Sequence, residues 1–84
     1  ATLAMADLSG INLANTNLED ARIAGANMQA ANLRGAHMNA AKIAGVNLQE
    51  AELVGADLSG SRLLGVNVAG ADFSDVKMTD ARAA

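Results

Sequence analysis

Apolar and polar residues recur along this chain with a period of five residues that never slips. In most groups of five, the first residue is Ala, the second is polar, and the third is a large apolar residue. The first-position exceptions are Ile11, Thr16, Val46, Ser61, Val66 and Val76. The third positions are Leu3, Leu8, Leu13, Leu18, Ile23, Met28, Leu33, Met38, Ile43, Leu48, Leu53, Leu58, Leu63, Val68, Phe73 and Met78. All eight glycines fall at the fifth position. The chain is therefore built from one repeated unit of five residues.

A five-residue period fits neither an α-helix nor a straight strand. At about 100° per residue, successive third positions would lie about 140° apart around a helix, so no apolar stripe would form. In a strand an odd period sends alternate leucines to opposite faces. The pattern predicts instead a three-residue strand followed by a corner at the fourth and fifth positions. The corner often requires a positive φ, which Gly, Asn and Asp accept most readily. Asn15, Asp20, Asp75 and Asp80 share this position with the glycines, which leaves Met5, Ala30, Ala40 and Glu50 as its ordinary residues.

Short strands that always turn the same way predict a coil, and stacked coils predict a parallel β-solenoid. Side chains of like chemistry should align at the coil period. At the second position, residues twenty apart form a basic column and an amide column. These columns are Arg22, Lys42, Arg62 and Arg82, and Asp7, Asn27, Asn47 and Asn67. Four repeats per coil, giving a square cross-section, explain this alignment best.

The units ADLSG, ANLRG and AELVG resemble the A(D/N)LXX signature of the pentapeptide-repeat proteins. The resemblance spans the whole chain. It implies an all-β fold, a right-handed quadrilateral parallel β-helix with four pentapeptides per coil and about four coils. The third-position residues would then point inward. We expect residues 1–84 to form a single pentapeptide-repeat domain, and no capping elements are evident at either end.

The ends of such a solenoid expose strand edges and core. Phe73 and Met78 in the last full coil are expected to plug one end in part. Because neither end has a cap, an end-to-end homo-oligomer is one expectation. Ala1 is not an initiator methionine, so the chain is also expected to be trimmed or to be a natural or engineered segment of a longer protein.

Composition argues against catalysis. There is no cysteine, His37 is the one histidine, and no set of residues matches a catalytic or metal-binding pattern. We expect no enzyme activity and no cofactor. His37, with Asp57 one rung away, is interpreted as a solvated surface residue, and Asp72, Asp75 and Asp80 as turn-forming or solvated acids. The amides at Asn27, Asn47 and Asn67, and at Asn12 and Asn32, are expected to bond between rungs.

The net charge of −3 is too small to indicate nucleic-acid binding, and no apolar run approaches the length of a membrane span. No signal peptide is recognisable. We therefore expect a soluble protein with no direct nucleic-acid contact and no membrane insertion. A cytoplasmic location is the default assignment.

The basic column is the candidate interaction face: Arg22, Lys42, Arg62 and Arg82. The leading functional hypothesis is a non-catalytic structural module that presents flat faces to a protein partner, which the sequence does not identify. The resemblance also implies an alternative, because some pentapeptide-repeat proteins mimic DNA, bind type II topoisomerases such as gyrase and protect them. That role requires a strongly acidic surface, which the basic column and the mild net charge do not favour.

Overall fold

The chain coils so that every twenty residues return to the same side of the molecule. The structure, a computed structural model, describes residues 2–83. Its strands are β1 (Thr2–Ala4), β2 (Arg22–Ala24), β3 (Lys42–Ala44), β4 (Arg62–Leu64) and β5 (Arg82–Ala83). They form one parallel sheet in the order β1-β2-β3-β4-β5. The register places Arg22 opposite Lys42 and Lys42 opposite Arg62. The predicted right-handed quadrilateral β-helix is confirmed.

Four faces run along the solenoid axis, and we number them in chain order. Face 1 carries β1 to β5. Face 2 comprises 6–10, 26–30, 46–50 and 66–70, face 3 comprises 11–15, 31–35, 51–55 and 71–75, and face 4 comprises 16–20, 36–40, 56–60 and 76–80. The molecule measures 28 × 22 × 19 Å. None of the described residues forms a helix that could cross a membrane.

Faces 2 to 4 differ from face 1, because they contain single bridging residues instead of three-residue strands. Asn27, for example, bridges Asp7 below it and Asn47 above it. A hydrogen-bonded turn follows each bridge, as when the Ala31 N–H donates to the Met28 carbonyl at 3.0 Å. The prediction of a three-residue strand at the first to third positions of every repeat is therefore right in length for β1 to β4 but displaced by one residue, since these strands occupy the second to fourth positions. On the other three faces the predicted strand is too long.

The third-position residues form the core, together with the small first-position residues. Leu33 and Leu53 are fully buried, as are Ala31 and Ala41 among the first-position residues. Ser61 is the buried polar residue of this core, and its hydroxyl donates to the Leu58 carbonyl at 2.6 Å. Burial weakens towards both ends, because residues of the first and last coils lack a neighbour on one side.

Corners are made by a backbone in the left-handed region at every fifth position. The φ values there run from 54° at Met5 to 73° at Gly55. Ala30, Ala40 and Glu50 adopt the same conformation as the glycines, each at 59°. The sequence predicted a positive φ for the corners that hold Gly, Asn or Asp, and the structure shows a positive φ at every fifth position.

Candidate functional site

Face 1 presents the four predicted basic side chains in one column. Arg22, Lys42, Arg62 and Arg82 occupy the first positions of β2 to β5 and are all exposed. Consecutive members are direct partners in the parallel register. Rungs of a parallel sheet lie about 4.8 Å apart. The structure therefore brings together all four residues of the candidate interaction face.

On faces 2 to 4, most second-position side chains form a hydrogen bond with the turn that follows them. There, nine Asn or Asp side chains accept a hydrogen bond from the backbone N–H two residues later. The Gln49 N–H, for example, donates to Oδ1 of Asn47 at 2.9 Å. Such local bonds satisfy the turn backbone. The expected amide ladder between rungs is therefore wrong, since these amides bond within their own turn.

Face 1 has no Asn or Asp at its second position, because its backbone continues as a strand and forms no such turn. Its second-position side chains are therefore free of any capping role. Strand geometry explains why a turn-capping residue is not needed here. It does not explain why four successive coils carry a cation.

No acid on face 1 neutralises the column, since the repeats of this face contain neither Asp nor Glu. Among residues 2–83, one ion pair has a nitrogen–oxygen distance of 4.0 Å or less. It joins Arg34 Nη1 to Glu52 Oε2, and both residues are on face 3. Glu19, Asp20 and Asp80 lie at neighbouring corners in the sequence, but none reaches that distance from Arg22 or Arg82. Two like charges about 5 Å apart repel by about 0.8 kcal/mol in water. The column thus carries a small electrostatic cost.

An apolar row runs beside the basic column on the same face. Its members, at the fourth position, are Ala4, Ala24, Ala44 and Leu64. Leu64 is 58% exposed. It lines a shallow concavity of about 280 Å³ together with Arg62, Arg82, Leu63 and Ala83. This row was not predicted from the sequence, although face 1 is the one face whose fourth positions contain no polar residue.

A second apolar concavity, of about 330 Å³, lies at the C-terminal end of the described coils. It is lined by Leu63, Val66, Val68, Phe73, Met78 and Ala83. Val68 and Met78 remain 40% and 42% exposed. Phe73 and Met78 therefore line this end of the core and fill it only in part, as predicted.

Three carboxylates on the other faces are held in their charged form. The hydroxyl and backbone N–H of Ser9 lower the pKa of Asp7. Ser59 and Ser74 do the same to the pKa of Asp57 and Asp72. The charges of Lys77 and His37 add a smaller contribution at Asp57. Each carboxylate is exposed or half-buried and bonded within its own turn, which is a structural role.

The remaining candidates for chemistry do not converge. His37 is exposed and bridges Asn17 and Asp57 through the backbone. Asp75 and Asp80 occupy left-handed corners, and the Asp72 carboxylate accepts both bonds from Ser74. In the part of the chain that the structure describes, no group of three or more His, Asp or Glu residues could hold a metal ion.

Solved structures of pentapeptide repeat proteins superpose on this chain. Rfr23, a pentapeptide repeat protein of the cyanobacterium Cyanothece 51142, superposes with a TM-score of 0.95 at 26% identity, covering 99% of this chain and 56% of Rfr23. The pentapeptide repeat protein alr5209 of Nostoc Pcc 7120 gives a TM-score of 0.56 at 30% identity, covering 86% of this chain and 64% of alr5209. QnrB1, a plasmid-mediated fluoroquinolone resistance protein, gives 0.35 at 17% identity, covering 93% and 60%. The chain thus spans under two thirds of the length of these proteins.

Comparison with family models identifies the same family as the solved structures, although a search of curated proteins finds no match. The family model for pentapeptide repeats matches the chain, with eight copies over residues 3–39 and 41–80, which is most of its length. The chain belongs to the pentapeptide-repeat family.

Proposed function

We propose that this protein is a non-catalytic interaction module that binds an acidic segment of a protein partner on face 1. The observation that carries the proposal is the unbroken basic column, Arg22, Lys42, Arg62 and Arg82, on a face without acids. Cations that lack intramolecular partners attract an opposite charge from outside. The flat sheet beneath them holds the column in a fixed geometry, so little order has to be gained on binding.

The DNA-mimicking alternative is not proposed. It requires a continuous acidic surface, and face 1 presents the opposite charge on four of its five strands, β2 to β5. The similarity to QnrB1 is too low to carry an argument.

The chain offers a matched pair of variants for the test. Lys42→Glu/Arg62→Glu reverses two charges on face 1. Arg34→Glu/Lys77→Glu reverses two charges on faces 3 and 4 and changes the net charge by the same amount. The probe is dye-labelled poly-L-glutamate at physiological salt, and fluorescence anisotropy measures the affinity. A thermal melt of each variant shows that it is folded.

We expect the parent protein to bind the probe and the face 1 variant to bind at least about tenfold more weakly. Each lost attraction at an exposed site contributes about 0.2–1 kcal/mol, and each new repulsion removes a similar amount. The control variant should stay within about twofold of the parent. Equal weakening by both pairs would overturn the proposal, and so would the absence of binding both to this probe and to shorter acidic peptides.

A further inference from the structure

The spacing of the basic column restricts the kind of acidic segment that fits it. Arg22, Lys42, Arg62 and Arg82 stand on four consecutive rungs. With about 4.8 Å per rung, their backbone positions lie at about 0, 4.8, 9.6 and 14.4 Å along the solenoid axis. A complementary partner must present carboxylates at nearly this interval over about 14 Å.

An extended peptide fits this interval poorly. Residues on one side of a strand recur about every 6.6 Å, so the second carboxylate would fall between two cations. An α-helix rises about 1.5 Å per residue, and residues i, i+3, i+7 and i+10 share one side. Those residues lie at about 0, 4.5, 10.5 and 15 Å. Measured along the solenoid axis, each of these helix positions differs by less than about 1 Å from the backbone position of one cation.

The apolar row of face 1 independently favours a helix with two kinds of side chain. Ala24, Ala44 and Leu64 lie two residues beyond the cations of their strands, or about 6.6 Å across the face. A helix about 10 Å wide covers both rows at once. The small alanines allow its backbone to approach closely. The concavity between Leu64, Arg62 and Arg82 has room for one large apolar side chain.

A second copy of this chain is not the complementary partner. None of its faces presents an acid on each of four consecutive rungs. Face 4 has the most acids, which are Glu19, Asp20, Asp57 and Asp80. Residues 36–40 of this face contain none, however, and His37 and Lys77 adjoin Asp57 in its second-position column. Charge complementarity therefore points to another protein.

We propose that face 1 binds an amphipathic acidic α-helix that lies along the solenoid axis. The carboxylates of the helix at i, i+3, i+7 and i+10 face the basic column, and a neighbouring apolar row packs on Ala24, Ala44 and Leu64. This inference rests on the proposed function, because it assumes that face 1 is the contact surface. It adds the conformation and the side-chain pattern of the partner.

The test uses three synthetic peptides with the same numbers of Glu and Leu residues. The first has Glu at i, i+3, i+7 and i+10 with a flanking row of Leu, and its helix is locked by a staple on the far side. The second has the same staple, with its Glu and Leu residues distributed around the helix. The third is unstapled and has the sequence of the first, with two L-residues replaced by their D-enantiomers to prevent helix formation. Isothermal titration against the 84-residue protein gives the three affinities.

We expect the aligned helix to bind at least about tenfold more tightly than either other peptide. The Lys42→Glu/Arg62→Glu variant should lose this preference. Leu64→Ala should weaken binding of the aligned helix about three- to tenfold, whereas Val54→Ala on face 3 should leave it unchanged. In a two-dimensional amide NMR spectrum, the largest shifts should fall on β2 to β5.

The outcomes separate the two proposals. If all three peptides bind equally and Lys42→Glu/Arg62→Glu abolishes that binding, the helix inference is wrong while the contact role of face 1 stands. If no peptide binds and poly-L-glutamate does not bind either, both fail. An unchanged affinity in Leu64→Ala would overturn the role of the apolar row.

Discussion

At the scale of single residues, the fifth position of each repeat is under the strongest backbone constraint. All sixteen fifth-position residues adopt a positive φ, and eight of them are not glycine. An L-residue with a Cβ is disfavoured in this conformation by about 1–2 kcal/mol. Ala30 and Ala40 are the plainest cases, because neither has a polar side chain that could compensate.

We therefore expect Ala30→Gly to stabilise the protein by about 0.5–1 kcal/mol, since the relieved strain exceeds the entropy that glycine loses on folding. Urea unfolding followed by circular dichroism measures the change. The matched control is Ala24→Gly, in strand β2 of face 1, where φ is not positive and the substitution should destabilise. Equal destabilisation by the two substitutions would contradict the expectation.

The serine-bonded carboxylates give the protein a defined response to acid. Bonds from Ser9, Ser59 and Ser74 hold the pKa of Asp7, Asp57 and Asp72 below the ordinary value of 3.8. A carboxyl whose pKa is lower in the folded state stabilises the protein above its unfolded pKa. That contribution disappears as the pH falls through the folded pKa. Stability should therefore decline below about pH 4.

The variant Asp7→Asn/Asp57→Asn/Asp72→Asn isolates this effect. Asn caps the same turn elsewhere, as Asn47 does, but it does not titrate. We expect the Tm of the parent to fall more steeply than that of the variant between about pH 5 and about pH 2. Parallel curves in a series of thermal melts would show that these three carboxylates do not contribute.

The corner residues also show what sequence can and cannot predict at this scale. Gly, Asn and Asp at the fifth position correctly indicated a positive φ. Met5, Ala30, Ala40 and Glu50 gave no such signal, yet they adopt it too. A cost of about 1–2 kcal/mol at one residue is smaller than the value of keeping the coils in register. Neighbouring coils therefore impose the conformation.

At the scale of the elements, inward ladders of third-position residues hold the coils together. Leu33 and Leu53 stack on face 3 and are both 0% exposed. Removing such a side chain loses its burial and leaves a cavity in the narrow interior.

We expect Leu53→Ala to lower the free energy of unfolding by about 2–5 kcal/mol. The same chemical change at Leu64, which is 58% exposed, should cost no more than about 0.5 kcal/mol. Urea titrations of both variants provide the comparison. Similar losses at the two sites would mean that the buried ladder is not the main source of stability.

The second positions of the repeats distinguish face 1 from the other faces, but this signal was not used to predict where the strands lie. Second positions on faces 2 to 4 are mostly Asn or Asp, and on face 1 they never are. That contrast marks the face on which the backbone continues as a strand instead of entering a capped turn. Hydrophobic periodicity alone could not reveal it, because the apolar residues follow the same rule on all four faces.

At the scale of the whole molecule, the basic column was predicted from the coil period and is confirmed as an alignment of four side chains. The concavity beside Leu64 was not predicted, since its shape depends on how Arg62 and Arg82 lie over the sheet. A role for face 1 in binding stays a prediction.

Association through the apolar end also stays a prediction. The concavity formed by Val68, Phe73, Met78 and their neighbours exposes core residues. We expect the mean mass in sedimentation velocity to rise with protein concentration. Val68→Lys/Met78→Lys should suppress the rise, whereas Ala69→Lys/Thr79→Lys, at exposed residues outside the concavity, should not. A constant mass equal to one chain would contradict self-association.

The twenty-residue register has a consequence for how such a surface can change by insertion and deletion. Because Arg22 pairs with Lys42 and Lys42 with Arg62, gaining or losing one pentapeptide between them would turn every later side chain by a quarter of the coil. The core would survive, since every face accepts the same inward residues, but the column would split between two faces. Duplication of a full twenty-residue coil would lengthen the column and leave it straight. A lineage can therefore alter the length of this protein in small steps, but it can extend the surface only in whole turns.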